Sequence, residues 1–182
     1  MVIRIIINSN IGELTENKIR KIQEILTPEF PAGGSTPTQI IASGEQKNIV
    51  ITNSTIEYIV ADSKDIKVQE TIIKLYDLLM LDNNLNNLSI LISEAVGEEY
   101  SMEYIQNKYT KIIDDSIGIG IRSFFAYEDV LCEFKVEPYL DDPKRMYIEG
   151  IYNFRNKLVN KLDEVIKGTI NDYTNKKGNL NI

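Results

Sequence analysis

Short apolar runs of β-branched residues, set apart by turns too tight for a crossover, constrain this chain's fold more than any other feature. Residues 38–42, 48–53 and 55–61 are three such runs, joined by a GEQK turn and an Asn-Ser turn. Strands joined this way pair antiparallel, because a parallel pair needs a connection of about a dozen residues or more. The opening VIRIIIN reads as a buried strand, and Leu88, Ile90 and Ile92 share one face of another. Later, residues 117–127 and 131–137 form a hairpin. A turn at Asp141, Asp142 and Pro143 then leads into a strand over 145–154.

Helical spacing separates these strands. Ile19, Ile22, Ile25 and Leu26 follow a Thr15 cap and stop at Pro28. Val68, Ile72, Leu75, Tyr76 and Leu79 form a stripe on a helix expected to open at Ser63 and end near Leu81. Met102, Ile105, Tyr109 and Ile112 suit a third helix. Leu158, Leu162, Val165, Ile166 and Ile170 suit the last. PEFPAGGSTP, with three prolines around Gly33 and Gly34, reads as a loop, as does the Asn-rich DNNLNN. The expectation is an α+β fold: a mainly antiparallel sheet with about four helices packed on it. The element order can be read as two unequal ferredoxin-like halves sharing one sheet. Residues 1–173 form one domain in this reading, and the polar tail 174–182 is expected to be mobile.

Composition narrows the chemistry. The 182 residues contain no histidine and one cysteine, Cys132. Serine and cysteine triads built on imidazole, His-containing zinc sites and CxxC redox pairs are therefore excluded. The net charge of −7 opposes direct nucleic-acid binding, which needs Lys and Arg against phosphates, and it favours a partner with a basic surface. No apolar run reaches the roughly 18 residues that span a bilayer, and the N-terminus lacks a small-residue cleavage site. A cytoplasmic protein is expected, with no membrane role.

Three groups of residues could carry function. In the hairpin, Glu133 and Lys135 fall on one strand face, opposite Cys132, Phe134 and Val136, and Asp115 stands at the start of the facing strand. This resembles the PD-(D/E)-x-K arrangement of metal-dependent nucleases, although Asp114 stands where that family has proline. The resemblance implies Asp115 and Glu133 as ligands of Mg²⁺ or Mn²⁺, with Lys135 activating water, and Glu99 or Glu103 as possible further acids. Read as ordinary sheet, the same residues are a solvated face with cross-strand charge pairs and need no cofactor.

The second group is Gly118 and Gly120 with Arg122: bare glycines in a strand leave a floor for a ligand or partner. The third is the tyrosines, among them Tyr100, Tyr104, Tyr109, Tyr139, Tyr147 and Tyr152, a residue type enriched at interfaces, including those of homo-oligomers. With the catalytic vocabulary so thin, the leading expectation is a non-enzymatic interaction module of the regulator, antitoxin, immunity or inhibitor kind. It would bind another protein through its sheet or its tyrosine-rich surface. A metal-dependent phosphodiesterase and a small-ligand sensor are the alternatives.

Overall fold

The computed structural model describes residues 1–61, 66–97, 120–142 and 145–180. In chain order the elements are β1 (Val2–Asn8), α1 (Glu16–Leu26), β2 (Ala32–Thr36), β3 (Gln39–Gly44), β4 (Lys47–Thr52) and β5 (Thr55–Val60). Then come α2 (Gln69–Leu79), β6 (Asn84–Leu85), β7 (Asn87–Val96), β8 (Ile121–Tyr127), β9 (Val130–Pro138) and β10 (Met146–Phe154). The last are β11 (Lys157–Leu158), a 3₁₀ turn (Val159–Lys161) and α3 (Leu162–Gly178).

Among the described residues nine strands form one sheet in the order β2-β3-β4-β5-β1-β7-β10-β9-β8, and every described pairing is antiparallel. β1 and β7 meet at the centre, with Ile5 opposite Ile90. On each side a meander returns to lie beside that central strand: β2 to β5 beside β1, and β8 to β10 beside β7. Two unequal halves thus share the sheet. In the first half β1 runs parallel to β4 with β5 between them, and β5 parallel to β7 with β1 between them, which is the strand arrangement of split β-α-β units; the second half, β8 to β10, is a plain meander.

The class is α+β, with helices on one face. Alternation creates the two faces: Ile3, Ile5 and Ile7 are sealed at 0% exposure, while Arg4 and Asn8 point outward. Ile49, Ile51, Ile56, Tyr58, Leu88, Ile90, Ile92, Ile148 and Tyr152 continue the inner face. Ile22, Leu26, Ile72, Leu75, Tyr76, Leu162, Ile166 and Tyr173 close over it from the helices. Each fully buried isoleucine contributes about 1.5–3 kcal/mol relative to exposure, so this stripe of β1 alone anchors the centre. Gly150 is fixed by the same packing: a Cβ there would lie 2.8 Å from the Tyr173 ring and 3.0 Å from that of Tyr152.

Several elements depart from the sequence reading. Three α-helices are present among the described residues rather than about four; the helix expected around Met102 to Ile112 lies outside them. The glycine-proline segment is a strand, β2, because its backbone pairs with β3 from Gly33↔Ala42 to Thr36↔Gln39. Asn84 and Leu85 likewise pair with β11 instead of forming a pure loop. The last helix continues past Thr174 to Gly178, where Lys176 reaches Asp172 at 2.5 Å and Lys177 reaches Glu94 at 2.9 Å. α2 begins at Gln69, later than expected. The Asp163 carboxylate accepts from the backbone N–H groups of Val68 and Gln69 at 3.2 and 3.0 Å.

Candidate functional site

The face of the sheet opposite the helices carries the polar side chains of β8, β9 and β10. No described helix packs there. Register decides which of them meet. Lys135 stands opposite Arg122 on β8 and opposite Glu149 on β10, while Glu133 stands opposite Phe124 and Ile151. Lys135 Nζ lies 2.6 Å from Glu149 Oε2, and Arg122 Nε lies 2.9 Å from Glu133 Oε1 across the diagonal. Tyr147 donates its hydroxyl to Glu149 Oε1 at 2.9 Å. Arg4 and Glu57 make a comparable pair on the other half of this face, 2.5 Å apart.

Electrostatics follow from these contacts. The hydrogen bond to Glu149 holds the Lys135 ammonium above its ordinary pKa, against a smaller opposing effect of burial. A lysine held this firmly protonated is a cation and a donor, not a neutral base. The Arg122–Glu133 bridge is more open, with the arginine 59% exposed, so it contributes at most about 1 kcal/mol. Among the described residues no three acids or thiols converge as a metal-ligand group.

Of the residues singled out from sequence, the structure brings together Glu133, Lys135 and Arg122, with Glu149 completing the set. Asp115, Gly118, Tyr100 and Tyr104 lie outside the described residues. Gly120 is exposed just before β8, and a Cβ there would sit 3.1 Å from the Cβ of Glu137. Cys132 faces the helices at 1% exposure, and burial pushes its thiol up to about 11. It is packed as a small apolar group, not presented as a nucleophile.

Apolar side chains interrupt the charges on the outer face. Phe124 on β8 is 63% exposed and Leu131 on β9 is 68% exposed. Leu131 stands opposite Ala126, two residues along the same face from Phe124, so the three are contiguous. A hollow of about 620 Å³ borders Leu131, lined further by Asp129, Val130, Asn153, Arg155, Asn156 and Lys157. Sequence reasoning placed Phe124 beside Arg122 but did not single it out, nor Leu131 or Glu149. Period-two parity could have assigned all three to this face, since Glu149 shares it with Tyr147 and Ile151 and alternates with the buried Ile148 and Gly150.

No protein-family model matches the chain, and the search of curated proteins found no match either.

Proposed function

We propose that this protein is a non-enzymatic interaction module, and that it binds a protein of basic surface with the open sheet face at β8, β9 and β10. The single observation carrying this reading is the Phe124–Ala126–Leu131 patch, a phenylalanine and a leucine turned to solvent inside a ladder of ion pairs. Aromatic anchors ringed by polar side chains are the usual composition of a binding hot spot. Glu133, Glu137 and Glu149 supply the rim, and the net charge of −7 steers a basic partner toward the protein. A regulator, antitoxin, immunity protein or inhibitor works in this way, by occupying a surface without chemistry of its own.

Affinity capture from the source cells with the parent and a Phe124→Asp variant tests the reading. A protein of high isoelectric point should be retained by the parent and lost with the variant. Binding of the purified partner should weaken from low to high salt. Phe124 is exposed, so the variant should keep the parent's melting temperature to within a few degrees. Capture that is unchanged by the substitution would refute the assignment of this face.

A further inference from the structure

β2 ends the sheet with part of its backbone unspent. Among the described residues β3 is its one neighbour, every residue of β2 is exposed, and the pairs with β3 run without a bulge. Thr36↔Gln39 closes a two-residue turn, so this pair exchanges hydrogen bonds, and by alternation Gly34↔Ile41 and Ala32↔Ser43 do too. The next turn gives the same parity. Gly44↔Lys47 commits residues 44, 42 and 40 of β3 to β4, which leaves 43, 41 and 39 for β2. The N–H and C=O groups of Gly33 and Ser35 therefore point away from the sheet, and no other described group bonds them. Edge strands are ordinarily guarded by a lysine, a bulge or a proline. Here prolines stand only at the flanks, Pro31 and Pro37, and no charged residue occurs from Phe30 to Thr38.

A crevice lies beside these groups. It measures about 210 Å³, runs between the end of α1 and the β2–β3 pair, and has Leu26, Phe30, Ile40 and Ala42 among its walls. No charged residue lines it. Ser35 Oγ accepts from Gln23 Nε2 of α1 at 3.4 Å, so Gly33 and Ser35 face the helices, the side on which Ile40 and Ala42 are buried. Gly33 keeps the crevice open: a Cβ there would stand 2.3 Å from the Ile41 carbonyl oxygen, so no side chain can grow from this position. The space is smaller than the about 300–1,000 Å³ of small-molecule sites and suits a single apolar side chain.

We propose that the β2 edge takes an extended segment of a partner protein as an added strand. Gly33 and Ser35 hold the segment's backbone, and one large apolar side chain of the segment fills the crevice. Two features select this occupant. The outward groups offer donors and acceptors at the spacing of a strand, a pattern that another extended backbone repeats. A residue set opposite Gly33 turns its side chain to the helix face, over the crevice, where Gly33 has no side chain to meet it. Main-chain bonds then supply affinity, and the crevice supplies the choice of side chain. β2 and β8 are opposite edges of the sheet, so this site is separate from the Phe124 surface.

Amide and methyl resonances of the isotope-labelled protein, followed as the capped peptide KTLTTTK is added, test the proposal. Binding should be saturable and should shift the amide protons of Gly33 and Ser35 and the methyl groups of Leu26 and Ile40. Alanine in place of the peptide's leucine should weaken it at least about fivefold. Methylation of the leucine's backbone nitrogen removes the N–H given to the edge and should weaken binding at least about tenfold, with the protein itself untouched. Ser35→Pro deletes one outward N–H and leaves the ladder to β3 whole. It should hold the melting temperature to within a few degrees while peptide binding is lost, and Phe124→Asp should bind the peptide as the parent does. The proposal is overturned if the peptide does not bind saturably, or if the alanine or N-methylated peptide binds as well. It is overturned equally if the parent sediments as a dimer that Ser35→Pro dissociates, since the edge then pairs with a second copy of this chain.

Discussion

Glu133 illustrates how far one residue can be read without its neighbours. Its side of the strand was legible, because Glu133 and Lys135 alternate with Cys132, Phe134 and Val136, and the structure buries all three of the latter. Its partner was not. Arg122 and Glu149 reach the hairpin through the registers of β8 and β10, which depend on packing across distant segments. Held by Arg122, Glu133 is one half of an ion pair, and Lys135 is committed to Glu149. Addition of Mg²⁺ or Mn²⁺ should therefore leave the melting temperature of both the parent and Glu133→Gln unchanged. A metal at ten times its Kd would raise it by roughly 3–6 °C in a domain of this size. A rise seen in the parent and abolished in Glu133→Gln would restore the metal-dependent reading of this hairpin.

At the scale of elements, strands were easier to anticipate than helix ends. β3, β4, β5, β7, β9 and β10 fall within a few residues of the runs read from sequence, because period-two alternation is a local property. β2 was hidden for the opposite reason. AGGST has no inward-facing apolar side chain and is a strand only because β3 offers its backbone a ladder. The start of α2 shows the same dependence on distant partners. Val68 has no capping side chain of its own, and the first N–H groups are satisfied by Asp163, 95 residues away. The reciprocal bond, from Asp163 N–H to Gln69 Oε1 at 3.4 Å, ties the starts of α2 and α3 together. Asp163→Ala should cost about 1 kcal/mol, within the usual range of about 0.5–2 for a lost cap. Hydrogen exchange should quicken selectively in the first turn of α2. Uniform quickening along the chain, or none, would show that Asp163 does not act as this cap.

For the whole molecule, the buried titratable groups sit together beneath α3 and at the α1–α2 end, and they bound the pH range of stability. Burial, reinforced by Asp172 and Glu94, holds the phenols of Tyr152 and Tyr173 protonated far above the ordinary value of 10.0. Tyr58 behaves likewise near Glu29 and Asp163, and the Cys132 thiol is pushed from 9.0 up to about 11. In each case the native state keeps a proton that the unfolded chain releases. The stability these groups support is intact below the unfolded pKa and is lost as pH rises toward the folded one. Lys135, raised by Glu149, adds to the same loss. Glu29 works in the other direction: its lowered pKa supports the fold above 4.5, and that support fades as pH falls below it. The urea midpoint should accordingly be level between pH 6 and 8.5, then fall steeply by pH 11. The part of the tyrosinate absorbance that Tyr152→Phe removes should appear together with loss of the far-ultraviolet signal, since Tyr152 ionises only when the helix leaves the sheet. Tyr152→Phe should make that alkaline fall shallower, because its phenol no longer distinguishes the two states. An alkaline slope unchanged by the substitution would mean that the proton is not held where Tyr152 meets Asp172.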